Sequence, residues 1–502
     1  MLVTCLKYIW QTLYQPMKNI SSIKTVFALS AFAVASFVSS CKNEVITADN
    51  VKAESLLSVK LADQSITPPL IKKLAGFESL DVYSLLSSDD VLSESPNFVF
   101  GGSADGSGTI KNPNGKGYFM LINNEDNYAV SKITLNEDFK PVKGEYVLNS
   151  DAGQWRLCSG TLATPKVNGF GPLYLSCGES DVEGQTHAID PITNVHRTLP
   201  GLGHWSAENA VPLDKNAYAG QTVIVLGEDA SDATGGQLVM YKSTTVGDLD
   251  NGDEYMLRRT DLNQKETDMV AGTSYDVEFV KIPNHKTLTG AQIQALVNPL
   301  SAIKFGRVED VDFRKGSSAN SREIYFNVTG QAAIGVNADH SRTVHGRTYK
   351  LLLNKDDATK GKLVCILDGD DDNGPANQFQ NPDNICVVNN FVYIQEDANS
   401  YGDETHDAYI YQYCIDTKIL KVVFELDHKR DNPKFKADAA KGNWEYGSLV
   451  DISDVVKIPN TFSLAIQPHT WRDAKFKGVD GGLKRVNENQ GSQIVIIKGL
   501  QK

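Results

Sequence analysis

The sequence lacks the signatures of several familiar hydrolases. It has no Gly-x-Ser-x-Gly elbow, no Walker loop and no His-Glu-x-x-His, which removes the usual serine nucleophile and the standard zinc protease. It has no basic excess either: the formal net charge is −13, which excludes a nucleic-acid surface and suits a chain that gathers several cations. Cysteine is sparse, seven in 502 residues, with no Cys-x-x-Cys pair and no zinc-like spacing. Cys5 and Cys41 fall in a targeting segment, leaving the odd set Cys158, Cys177, Cys365, Cys386 and Cys414. At least one of these stays unpaired in an exported protein, and if Cys158 and Cys177 are not bridged, one can serve a metal as thiolate.

A long apolar run is also missing. The stretch Thr25 to Phe37 is too short to span a membrane, and with Lys18 and Lys24 before it and Val38-Ser-Ser-Cys41 after it, it reads as a secretory signal over residues 1–41, starting at Met17. The cysteine at the cleavage point resembles a bacterial lipobox, so Cys41 is expected to carry acyl chains that tether an exported lipoprotein to a membrane. Residues 42–94 read as an N-terminal spacer, polar over 42–75 with a short helix near Leu70 to Leu74, and the start of the domain, whose propeller proper is expected at 95–502.

What is present is strand. Runs such as Tyr118 to Ile122, Ala129 to Leu135, Thr222 to Leu226, Phe391 to Gln395 and Gln493 to Ile497 are separated by Gly, Asp, Asn and Pro turns. Many short strands with few helices predict an all-β chain. At this length that is a β-propeller with inserted loops, although no clean internal repeat is visible. The clearest helix is Thr289 to Val297, a polar cap before an apolar face.

Chemistry concentrates where strands end. Cys158-Ser-Gly-Thr-Leu-Ala-Thr-Pro is followed by Leu173-Tyr-Leu-Ser-Cys177-Gly-Glu179, an apolar strand delivering soft and hard ligands to its end. Glu208 sits between small apolar residues that would bury it and so demand a partner. Arg307 and Glu309 are two apart on an extended segment and point the same way, a guanidinium suited to phosphate beside a carboxylate suited to a hard cation. Asp368-Gly-Asp-Asp-Asp-Asn-Gly374 begins like an EF-hand loop, but its twelfth position is Phe379, so that reading fails.

In this order, from about residue 95 to the C-terminus, these segments resemble those of the PhoX-type alkaline phosphatases, calcium- and iron-dependent propeller enzymes. The Arg307-Val-Glu-Asp310 stretch is similar to the family's Arg-Pro-Glu-Asp motif, with Val308 in place of proline. Asn124 stands where the family has histidine, and Gly178 is a further departure. The resemblance implies metal-assisted hydrolysis of phosphorylated small molecules with Ca2+ and Fe3+ as cofactors. It assigns Arg307 to the phosphate, Cys177 to iron as thiolate, and Glu208, Glu309, Asp383, Glu179 and Glu183 to metal. Asp397, Glu445 and His469 match looser parts of the pattern. The family is generally exported through a twin-arginine signal, which this chain lacks, so its metals are expected to load outside the cytoplasm. Two other readings stay open: a calcium-dependent propeller phosphodiesterase, phytase or lactonase, and a non-catalytic calcium-stabilised binding propeller.

Overall fold

The computed structural model describes residues 59–398, 405–436 and 441–502. The proposed signal, its start at Met17 and Cys41 lie outside the described residues. Strands of alternating Val, Ile, Leu and Tyr pair antiparallel into four separate sheets and one of nine strands. The nine-stranded sheet is two blades joined along their outer strands, Ser274–Lys281 against Lys360–Asp368, so the described residues form six blades. Their innermost strands are Ala104–Lys111, Arg156–Ala163, Ala207–Pro212, Val308–Phe313, Pro382–Val387 and Glu445–Asp451. Each packs on the next, and the sixth packs on the first, which closes a ring. The expected propeller is what the chain adopts.

The apolar core lies between blades and not on the axis. Six clusters of buried hydrophobic side chains each join one blade to its neighbour, as where Leu175, Ala188 and Trp205 meet Ile224 and Val239 between blades 2 and 3. The axis is thereby left to polar side chains.

Two differences from the sequence reading concern the N-terminal part. Ile71–Lys73 is not helical but a strand, a fifth on the outer edge of blade 5, because Ile71 buries against that blade while Lys72 and Lys73 face outward. Asp81–Ser87 pairs with Gln493–Lys498 and completes blade 6, so residues before 95 belong to the propeller and staple its two ends together. The helix expected from Thr289 is present but short, Gly290–Gln294, begun by a capping box between Thr289 and Gln292. Among the described residues no helix is long and apolar enough to cross a membrane.

The acidic loop after Asp368 is satisfied by protein. Asp368 pairs with Arg347, and Asp370 accepts the backbone N–H groups of Val344 and His345 at 3.0 and 2.9 Å. Burial opposes ionisation of Asp370, but the His345 ring and these two amides outweigh it and hold the carboxyl at about 2 against an ordinary 3.8. A depressed carboxyl contributes stability that is present above the unfolded value and is lost as pH falls through the folded one. Asp370→Asn is therefore expected to flatten the loss of stability between about pH 4 and about pH 2, read by urea unfolding; an unchanged acid limb would disprove it. Leu86, 2 % exposed in the seam between blades 6 and 1, tests the staple: Leu86→Ala should cost about 2–5 kcal/mol in the same assay. Ile66→Ala, at 75 % exposed, should cost within about 0.5 kcal/mol.

Candidate metal centre

The six innermost strands share one irregularity, a β-bulge just after their start. Ladder pairing skips two residues in each: Asp105-Gly106, Cys158-Ser159, Glu208-Asn209, Glu309-Asp310, Asp383-Asn384 and Gly447-Ser448. A bulge frees two side chains from the pleat and re-aims them. The first residue of the pair lines the axial opening in five of six blades. The second stitches blades together. Asn209 exchanges hydrogen bonds with the backbone of Val311 in the next blade, and Asn384 reaches Asp105 and Asp310 at 3.4 and 3.3 Å.

The second strand of each blade runs back and ends at the same opening. These ends deliver Glu125 and Asp126, Glu179, Asp229, Asp397 and His469. Side-chain amides on these strands hold the neighbouring bulge in place: Asn123 donates to the carbonyls of Cys158 and Ser159, Asn327 to those of Asp383 and Asn384, and Gln395 to that of Gly447. A carbonyl so fixed cannot swing, and the first bulge residue is held to one direction.

The result is a cavity of about 300 Å³ lined by nine carboxylates (Asp105, Glu125, Asp126, Glu179, Glu208, Glu309, Asp383, Asp397 and Glu445), the Cys158 thiol, His469, and two guanidiniums, Arg156 and Arg307. Carboxylates this close must be balanced by protons or by cations. Burial first, and neighbouring carboxylates second, push Asp105, Glu179, Glu208, Asp383 and Glu445 well above the ordinary range; the same causes raise Glu309 to about 8. Burial also raises Glu125 to about 7 although Arg156 opposes it. One oxygen of Asp383 is buried with no hydrogen-bond partner. Two triples, Asp105–Cys158–Glu208 and Glu125–Cys158–Glu179, each offer one ligand atom apiece within 4.8 Å of the others.

This donor set fits several cations. A thiol shared by two carboxylate triples suits iron, and the oxygen-only remainder suits calcium. Burial and the carboxylates of Glu125, Glu179, Glu208 and Asp105 raise the Cys158 thiol well above its ordinary value, and a cation at that spot would reverse the sign of its surroundings.

Arg307 enters from a strained turn. Its φ is +73°, a region costly for a residue with a side chain. The turn is over-determined by its neighbours: Glu266, fully buried, accepts the Gly306 N–H at 2.8 Å and the Tyr349 hydroxyl at 3.0 Å, and Thr329 donates its N–H to the Arg307 carbonyl. The guanidinium is clamped to Asp229 at 2.7 and 3.2 Å and lies 3.1 Å from Glu309. With Nε and Nη2 so taken, Nη1 is left for an oxyanion.

Of the residues expected from sequence, Arg307, Glu179, Glu208, Glu309 and Asp383 are brought together, along with Asp397, Glu445 and His469. Cys177 and Glu183 are not. Cys177 is fully buried among Leu175, Leu202 and Trp205, touches Thr186 at 3.3 Å, and burial pushes its thiol up to about 12. The cause is the bulge opposite it: Cys158-Ser159 is the looped-out pair, so Cys158 turns into the opening and Glu179, one pair beyond, follows it, accepting from the Cys158 thiol at 2.7 Å. Both cysteines are free. Glu183 stands outside, receiving the backbone N–H groups of Gly290 and Ala291 at the start of a helix. Asn124 is buried with its amide on the Gly101 carbonyl and does not line the cavity. Sequence reasoning missed Asp105, Glu125, Asp126 and Arg156 as lining groups. For Asp105 a signal was there, in the recurring triplet of an apolar residue, an acid or thiol, and a small residue at 104–106, 157–159, 207–209 and 382–384; for Glu125, Asp126 and Arg156 there was none.

Neither models of known families nor curated proteins match the sequence. Among solved structures, the chain is similar to Pseudomonas fluorescens PhoX in complex with vanadate, a transition state analogue, at 14 % identity and a TM-score of 0.61, covering 87 % of this chain and 98 % of that one. The chain has the PhoX fold. TolB from Acinetobacter baumannii (10 % identity, TM-score 0.31, 79 % of this chain and 65 % of that one) and the PQQ-bound aldose sugar dehydrogenase from Streptomyces coelicolor (9 %, 0.32, 86 % and 100 %) superpose far more loosely.

The two cysteines can be told apart with cobalt(II), whose thiolate charge-transfer absorption reports direct sulfur ligation. The absorption is expected in the parent and in Cys177→Ala and absent in Cys158→Ala; the opposite pattern would restore Cys177 to the site.

Proposed function

We propose that this chain is a metal-dependent phosphatase acting on phosphomonoesters, with iron and calcium held at the axial opening. The observation that carries the reading is the meeting, in one cavity, of nine carboxylates and a thiol with the Arg307 guanidinium. Phosphoryl transfer depends mainly on positioning and charge neutralisation, and no protein nucleophile is required. The similarity to a PhoX bound to vanadate supports the same reading.

Cys158, Glu125, Glu179, Asp105 and Glu208 would hold iron, and Glu309, Asp383 and their neighbours calcium. When bound, these ions would supply the Lewis acidity and positive charge that a phosphoryl group requires. Arg307 binds a phosphoryl oxygen through Nη1, and Asp229 and Glu309 fix the orientation of the guanidinium. Glu266 fixes the turn that carries Arg307 and so acts through it as a positioning residue. Export as a lipoprotein anchored through Cys41 completes the proposal and rests on the sequence alone.

Elemental analysis of the purified protein, alongside a phosphomonoester assay, tests it. Iron together with calcium in the parent, iron lost in Cys158→Ala, and a fall of about 10²-fold or more in kcat/KM for Arg307→Ala are expected. Calcium without iron in both proteins would point to a calcium-only hydrolase or a binding propeller.

A further inference from the structure

The second guanidinium at the opening is held quite unlike the first. Arg307 is gripped by both oxygens of Asp229, and its side chain is 25 % exposed. Arg156 makes one contact each with Glu125, at 3.4 Å, and Asp126, at 3.3 Å; its Nε is buried with no partner, and the side chain as a whole is 39 % exposed. Single, long contacts with access to water restrain a guanidinium weakly. One of the two partners is committed elsewhere, since Glu125 belongs to a candidate cation triple with Cys158 and Glu179. A cation there would draw on the Glu125 charge and so loosen its hold on Arg156.

A second guanidinium stands close to Arg156. Arg485 lies across Asp126, donating from Nε to the Asp126 carbonyl at 2.6 Å, with Nη2 3.2 Å from Glu488 and 4.0 Å from the Asp126 carboxylate. Asp126 is thus shared by two arginines, so neither guanidinium has this carboxylate to itself. Arg156 also rises from blade 2 and Arg307 from blade 4, with all of blade 3 between them, so the two forks approach a ligand from separate walls.

We infer that Arg156, backed by Arg485, is a second anion subsite at the mouth that binds a carboxylate or phosphate carried by the leaving group. The substrates it selects are phosphomonoesters of alcohols that are themselves anionic. The inference rests on the phosphatase reading for its meaning, since Arg307 takes the phosphoryl group that is transferred and Arg156 the anion that departs with the alcohol. Arg156 sets specificity and takes no part in bond breaking.

The test compares two substrates of one carbon skeleton, 3-phosphoglycerate and glycerol 3-phosphate, in the metal-loaded full chain. The parent should prefer 3-phosphoglycerate. In Arg156→Gln the ratio of the two kcat/KM values should fall about tenfold, mainly through KM, with Arg156→Lys recovering part of it and Arg485→Gln showing a smaller fall. An unchanged ratio, or an equal loss on both substrates, overturns the subsite. Calorimetric titration with two non-hydrolysable ligands, phosphonoacetate and methylphosphonate, separates this inference from the one beneath it. If the parent hydrolyses nothing but its preference for phosphonoacetate disappears in Arg156→Gln, the subsite stands and the phosphatase reading fails. If the parent is an active phosphatase whose preference survives the substitution, the reading stands and the subsite fails. Matching circular dichroism and melting of Arg156→Gln and the parent exclude misfolding as the cause.

Discussion

Mutual repulsion among nine carboxylates around one opening, six of them buried and three half-buried, is the constraint that the rest of the molecule answers. Bringing such groups out of water costs several kcal/mol each unless protons or cations compensate, so the set cannot be a by-product of packing. The propeller meets the constraint by placing its cohesion elsewhere. Six apolar seams between blades hold the ring, and the staple of Asp81–Ser87 onto the last blade closes it. Because those seams do not need the axis, the axis can be filled with groups that would ruin an ordinary core.

The repeated bulge translates this division of labour into geometry. In a regular strand, residues 105 and 106 would point to opposite faces of one sheet, and both would meet a neighbouring blade. Looping them out lets the first face the axis while the second ties down the adjacent blade. Gly106 shows how tightly this is drawn, since a Cβ there would come within 2.2 Å of the Gly160 nitrogen. The amide side chains of Asn123, Asn327 and Gln395 then pin three of the six bulges to the blades before them. Rigidity matters because a charge-neutralising site works by being arranged before its ligand arrives.

The fold class was legible because alternation and turn residues survive on every strand. Glu208 was legible because a carboxylate between small apolar residues announces its burial, whereas Arg307, Glu309 and Asp383 were legible through the family resemblance of their segments. The blade repeat was not, because the blades share only two residues at the bulge, and those vary among Asp, Glu, Cys and Gly at the first and Gly, Ser, Asn and Asp at the second. Cys177 was misjudged for a related reason: counting by twos along Leu173–Glu179 puts Cys177 and Glu179 on one face, and only the bulge on the partner strand breaks that equivalence. Glu125 and Asp126 sit in a sequence that looks like an ordinary turn, and nothing local marks them as facing the axis.

Six-fold scaffolding does not produce a six-fold site. In the last blade the first bulge position is Gly447, where a Cβ would come within 2.6 Å of the Asp105 Cα, so no side chain can enter the ring there. Glu445 reaches in from two residues earlier, and His469 sits 3.3 Å from it. The arginines occupy other sectors: Arg307 rises in blade 4, while Arg156 in blade 2 shares Asp126 of blade 1 with Arg485. Each arginine therefore stands among the acids of its own sector, Arg156 two residues before Cys158 and 3.4 Å from Glu125, Arg307 two before Glu309 and 3.1 Å from it. Such interleaving breaks the uniformity of the ring, because a ring of identical acidic positions would bind cations and repel any anionic ligand.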